Sequence, residues 1–190
     1  EYKYEVVKGG QSIAEGRFTT APKTDDSGTF RIAFGSCFHK IGVHNPNLFR
    51  TILARNPYAM MLLGDLAVDD RNANVAMHRA DYQLRDVSPA WKELASQLPL
   101  YTAWDDHDYF DNDLNGIPKG FDATDREALR AVWKQNWNNP PVDDDREGIY
   151  FSTRVGPCEI IMLDTRACRD NGRRRKFGCY LGDQQLSWLL

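Results

Sequence analysis

The sequence is poor in several things whose absence is informative. It has four cysteines in 190 residues, Cys37 alone and Cys158, Cys168 and Cys179 late, and this spacing fits no zinc ribbon. No uninterrupted apolar run approaches the roughly 18–20 residues that a membrane-spanning helix needs, so no membrane span is expected. Neither sign of charge dominates: 24 Lys and Arg against 27 Asp and Glu leave a net charge of −3. With a pI near 5.8 the field of the chain does not attract a polyanion, which argues against nucleic acid as a partner. The one basic run, Arg173-Arg174-Arg175-Lys176, lacks interleaved aromatics and an amphipathic period, and reads as a solvated loop. Internal repeats, low-complexity segments and the basic–apolar–small pattern of a signal peptide are all missing; the chain starts at Glu1, and any leader lies outside this sequence.

What is present is globular: 42% hydrophobic and 27% charged residues, far from the composition of disordered chains. Four short apolar runs bounded by turn or polar residues read as buried strands, at Phe30–Ser36, Ala59–Leu63, Leu100–Trp104 and Glu159–Leu163. Helices are expected from about Asn47 to Arg55, from Ala76 to Gln97 with a break near Ser88-Pro89, and from a cap at Thr124 or Asp125 to about Asn136. Ile149–Val155 turns through Gly156-Pro157 into the fourth strand as a hairpin. Near the end, Gly182-Asp183 opens a helix with Leu186, Leu189 and Leu190 on one face; it stops after two turns without a stop signal, so the sequence reads as a fragment.

The alternation predicts an α/β fold with a largely parallel sheet covered by helices, in which functional groups gather beyond the carboxyl ends of the strands. Residues 1–29 differ. Tyr2–Val7 and Gly16–Thr20 form an exposed hairpin around Gly9-Gly10, followed by a polar linker. They read either as the tail of a separate small β-domain or as a β-extension of the main domain, residues 30–190.

The chemistry lies after the strands. Gly35-Ser36-Cys37 follows the first, Gly64-Asp65 the second, Asp105-Asp106-His107-Asp108 with Asn112 the third, and Asp164-Thr165-Arg166 the fourth. Converging carboxylates repel unless a cation or an Arg compensates them, and thiolate, carboxylate and imidazole together suit a transition metal. Taken singly each residue has a plainer reading: Cys37 a small buried hydrophobe, Asp65, Asp105 and Asp106 turns or caps, His107 a surface or satisfied core histidine. The recurrence at successive strand ends favours a site.

The segments FRIAFGSC (30–37), MLLGD (61–65), YTAWDDHDYFDND (101–113) and IIMLDTR (160–166), in this order, resemble the alkaline phosphatase D (PhoD-like) branch of the calcineurin-like metallophosphoesterases, and RFTTAP (17–22) is similar to the exit from that family's N-terminal β-domain. The resemblance implies a partial metallophosphoesterase sheet sandwich, covered by helices and preceded by the tail of a small β-domain, with residues 30–190 as the incomplete N-terminal portion of the phosphatase domain. It implies a binuclear or larger metal centre, iron with calcium or another divalent cation, held by Cys37, Asp65 as the bridging carboxylate, and Asp106. It makes His107 the residue facing the phosphate or leaving group, with Asp108 orienting its imidazole, and gives Asn112, Asp105 and Arg166 supporting or phosphate contacts.

Two departures stand out. The branch's bacterial type has a tyrosine iron ligand three residues after the bridging aspartate, where this sequence has Val68, so Asp69 or Asp70 is a candidate replacement ligand. The family's later Gly-x-His motifs have no counterpart up to Leu190. The implied activity is hydrolysis of phosphate mono- or diesters, in a small molecule or a polymer, with an extracytoplasmic location. The competing readings are a noncatalytic scaffold that has lost a ligand and a nuclease- or phospholipase-like diesterase, the latter disfavoured for long nucleic acids by the acidic balance. Cys168 and Cys179 flank an Arg- and Gly-rich loop and are open to pairing as a disulfide or to remaining free thiols.

Overall fold

The computed structural model describes residues 1–143, 145–170 and 180–190. The Arg173–Lys176 run and Cys179, and with it the disulfide alternative, lie outside the described residues.

Three parallel strands, β3 (Ile32–Gly35), β4 (Ala59–Leu63) and β5 (Leu100–Ala103), pair in that order. Ile32 lies opposite Ala59, and Met60 opposite Leu100. The connections are α1 (His39–Gly42) with α2 (Pro46–Leu53), and then α3 (Val75–Val87) followed by α4 (Pro89–Ala95). Because side chains alternate along a strand, β4 feeds two cores. Ala59 and Met61 pack on one side with Ala103, Trp104, Leu129 and Trp133. Met60 and Leu62 pack on the other with Phe49, Trp91 and Leu94. β3 is an edge strand and only half buried, with Phe34 77% exposed.

The helix ends follow from local side chains. Asn45 accepts the N–H groups of Asn47 and Leu48 (3.1 and 3.2 Å) and starts α2 with Pro46 in its first turn. Ser88 separates α3 from α4, donating to Val43 O (2.7 Å) while accepting from Trp91 N–H (3.3 Å). The cap of α6 (Ala123–Asn136) is Asp122, ahead of the expected Thr124 or Asp125: Asp122 accepts from the N–H groups of Thr124 and Asp125, and the Asp125 side chain reaches back to Asp122 N–H as the other half of a capping box.

Two expectations are corrected. The fourth run forms β7 (Cys158–Met162), which pairs antiparallel with β6 (Phe151–Val155) as the expected hairpin, but in a ladder separate from the parallel sheet whose strand ends it was expected to join. Gly156 at φ +61 turns the hairpin. In α7 (Gly182–Leu189) the fully buried residue is Gln185, not a leucine, and Leu190 is 92% exposed. Gln185 accepts from Asp164 N–H and donates to Asp164 O, both at 2.8 Å, which fastens α7 to the segment after β7.

The N-terminal hairpin forms around Gly9 and Gly10, at φ +59 and +81, with β1 (Tyr2–Lys8) antiparallel to β2 (Gln11–Phe18), a second strand that begins well before the expected Gly16. No residue before Phe30 belongs to the apolar clusters among the described residues.

Candidate metal centre

The loops leaving β3, β4 and β5 are stitched to one another by backbone groups. Cys37 N–H donates to Gly64 O and His39 N–H to Asp65 O, both at 3.1 Å. Gly64, at φ +97, lies so close to the β5 loop that a Cβ there would sit 2.4 Å from Asp105 N, so glycine is required by both conformation and space. Cys37, His39, Asp65 and Asp70 all hold positive φ, at +57, +47, +56 and +53. Such left-handed conformations cost about 1–3 kcal/mol each and cluster where function over-determines the backbone.

This stitching produces three overlapping groups of potential ligands: Cys37 with His39 and Asp65, Asp65 with Asp106 and His107, and Asp69 with Asp70 and His107. In each, the ligand atoms lie within 4.8 Å of one another. Asp65 belongs to the first two groups. Its Oδ2 lies 3.5 Å from Cys37 Sγ, while its buried Oδ1 has no hydrogen-bond partner. A buried carboxylate oxygen left unpaired is expensive. Burial, and then the carboxylates of Asp105 and Asp106, push the Asp65 carboxyl above its ordinary range. An orphaned oxygen, a neighbouring thiol and converging carboxylates are what a cation would satisfy, so these residues fit a metal centre.

The surrounding groups are ordered by specific contacts. Arg166 binds Asp105 Oδ1 through Nε and approaches Asp106 Oδ1 with Nη2 at 3.3 Å. Burial opposes ionisation of Asp106, yet the Asp113 N–H (2.7 Å) and Arg166 hold its carboxyl below the usual range. Asp108 is 4% exposed and accepts from the N–H groups of Asp65 (2.6 Å), Leu66 (3.4 Å) and Asp105 (3.3 Å). Burial pushes its carboxyl up to about 7.

Several residues fall elsewhere than the sequence implied. Asp108 ties the β4 and β5 loops together and does not orient His107; the partner of His107 Nδ1 is Asp70 Oδ1, at 2.6 Å. Asn112 is exposed and donates to Asp113, outside the three ligand groups. Asp164 is fully buried and structural, accepting from the N–H groups of Ile149, Arg166 and Ala167 at 2.8–2.9 Å. Cys37 is exposed, which removes the reading as a buried hydrophobe. Val68 is fully buried beside Ala67, Tyr82 and Val132, so its place in the loop faces the core, while Asp70 meets His107 and Asp69 lies with them in the third ligand group. His39 was missed; the signal was the Cys37-x-His39 spacing directly after a strand.

A sequence model described as PhoD-like phosphatase matches residues 46–190. The chain belongs to the PhoD-like phosphatase family. A solved structure of PhoD superposes with a TM-score of 0.71 at 21% sequence identity, over 99% of this chain and 44% of that one, so the likeness concerns the fold and this chain spans less than half of that structure's length. No curated protein matches the chain. Among the described residues no helix is long and apolar enough to cross a membrane.

Proposed function

We propose that this chain supplies the N-terminal part of a metal-dependent hydrolase of phosphate mono- or diesters. The observation that carries the reading is the convergence of Cys37, His39, Asp65, Asp106 and His107 at the ends of three parallel strands, with Asp65 Oδ1 buried and unpaired. In this reading Cys37, His39 and Asp65 hold one cation, and Asp65 and Asp106 a second. The thiolate and imidazole suit iron, and the carboxylate-rich side suits calcium or another divalent ion. When bound, such a pair supplies an acidified water and neutralises phosphoryl charge.

The chain's own residues do the rest. Asp70 accepts the Nδ1 proton of His107, so in the imidazolium form Nε2 holds the second proton, the one delivered to the departing oxygen. Burial works against protonation of His107, but the Asp70 bond and the Asp65, Asp70 and Asp106 carboxylates raise its pKa, which keeps a proton available. Arg166 neutralises Asp105 and Asp106 and holds them in place. Residues 1–29 are assigned to the end of a β-domain and its linker, and 30–190 to the phosphatase domain, with an extracytoplasmic location.

The test uses full-length protein loaded with iron and calcium and assayed on aryl phosphate mono- and diesters. Hydrolysis abolished by chelation and restored by metal is expected. A protein that binds no stoichiometric metal would instead be a scaffold on the same fold.

A further inference from the structure

The Asp70–His107 contact depends on a loop with no apolar anchor of its own. Residues Asp69, Asp70, Arg71 and Asn72 belong to none of the apolar clusters, and Asp70 and Asn72 both sit at positive φ, +53 and +50. Two strained residues in a four-residue stretch persist only if their surroundings over-determine them.

The surroundings do so, one residue at a time. Asp69 Oδ2 lies 3.6 Å from Lys40 Nζ. Asp70 meets His107. Arg71 forms a two-pronged pair with Asp81, Nε to Oδ2 at 2.7 Å and Nη2 to Oδ1 at 3.2 Å. The Asn72 carbonyl accepts from His78 Nε2 at 2.9 Å, and the Asn72 amide donates to Asp111 at 2.9 Å. Lys40 closes the set, since its ammonium also lies 3.7 Å from Asp81.

Asp81 is the common point. It lies on α3 one turn from His78, its side chain is only 4% exposed, and it directly faces both cations that hold the loop: Arg71, which is part of the loop, and Lys40, which grips the loop at Asp69. A buried carboxylate is tolerated when paired in good geometry, and a two-pronged guanidinium pair fixes direction as well as distance. Lys40 in turn follows His39, so the same carboxylate braces the loops on both sides of the ligand groups.

We propose that Asp81 is a positioning residue: it holds the 69–72 loop in the one conformation that presents Asp70 to His107. The inference rests on the phosphoesterase reading for its consequence in catalysis, but not for its consequence in structure. With Asp81 neutralised, Arg71 loses its partner and the strained loop relaxes, and the imidazole of His107 loses the acceptor that sets its tautomer.

The experiment is Asp81→Asn in full-length, metal-loaded protein, with Glu159→Gln on the exposed face of β7 as control. Turnover of an aryl phosphate ester should fall roughly 10–100-fold, the range for loss of an orienting partner. KM and metal stoichiometry should stay unchanged. The double variant with Asp70→Asn should be no slower than Asp70→Asn alone, because both act through one contact; independent, multiplicative losses would overturn the proposal. Amide hydrogen exchange in the peptide spanning 66–74 should accelerate at least tenfold in Asp81→Asn and not in Glu159→Gln, and unchanged exchange would also overturn it. If the wild type hydrolyses no phosphate ester, the functional reading fails by itself, and the exchange result still decides the positioning role. Should Asp81→Asn misfold, Arg71→Gln breaks the same pair from its more exposed side and carries the same expectations.

Discussion

Asp70 and His107, 37 positions apart in the sequence, meet through Oδ1 and Nδ1 at 2.6 Å. The contact selects the imidazole tautomer, because an ionised carboxylate can only accept, and so Nδ1 must donate. Asp108, the sequence neighbour of His107, cannot take this part. Adjacent residues on a helix point in different directions, and along α5 (Asp106–Tyr109) the Asp108 side chain turns inward to the backbone of Asp65 and Leu66.

Asp70→Asn should therefore slow phosphate-ester turnover by roughly 10–100-fold while leaving the metal content intact. Steady-state kinetics beside elemental analysis reads both quantities. Loss of a metal ion from the variant would make Asp70 a ligand, in keeping with its place in the group with Asp69 and His107, and would refute its assignment as the orienting carboxylate.

Asp65 yields a prediction with opposite signs in two states. Without metal, burial and the Asp105 and Asp106 carboxylates raise its pKa, so its charge at neutral pH destabilises the fold. Asp65→Asn should leave metal-free protein at least as stable as the wild type, yet abolish the rise in Tm on adding metal and abolish hydrolysis. Thermal melts with chelator and with excess metal check this. An equal metal-induced rise in the variant would remove Asp65 from the centre.

Much of the α/β core was legible because apolar runs and stop residues carry it. Ala59–Leu63 is read as a buried strand, and the Ser88-Pro89 break falls where α3 ends and α4 begins. Cys37, Asp65, Asp106 and His107 were legible as strand-end residues and come together in space. The partners of these residues were not. Asp70, Arg71 and Asp81 are surface-type residues in composition, and nothing in a period or a spacing says that Asp81 is buried against Arg71 or that Asp70 reaches His107. The hairpin of the fourth run was legible from its Gly156-Pro157 turn, but its separation from the parallel sheet was not, because hydrophobic pattern alone does not say which sheet a strand joins.

Gly64→Ala should destabilise the protein by about 1–3 kcal/mol from the positive φ alone, with more from the clash against the Asp105 backbone. The clash pushes the β4 and β5 loops apart, so metal affinity should fall with stability. Denaturant melts and metal titration of the variant test this, and wild-type metal affinity in a destabilised variant would show that the close approach serves folding only.

His78 gives a pH dependence away from the ligand groups. It is 1% exposed, and Nε2 must carry the proton shared with the Asn72 carbonyl. Burial lowers its pKa below 6.5, and although the Asn72 bond and Asp81 oppose this, burial prevails. The unfolded chain takes up a proton as the pH falls through about 6.5, while the folded chain does not. Stability from this residue is thus fully present above that pH and drains away as the pH falls toward the folded-state value, with a limiting slope of about 1.4 kcal/mol per pH unit. His78→Gln can still donate to the Asn72 carbonyl but does not titrate. Its unfolding free energy should vary less steeply than the wild type's from pH 7 to pH 5, measured by urea denaturation at each pH. Parallel curves for the two proteins would mean that His78 titrates alike in the folded and unfolded chains.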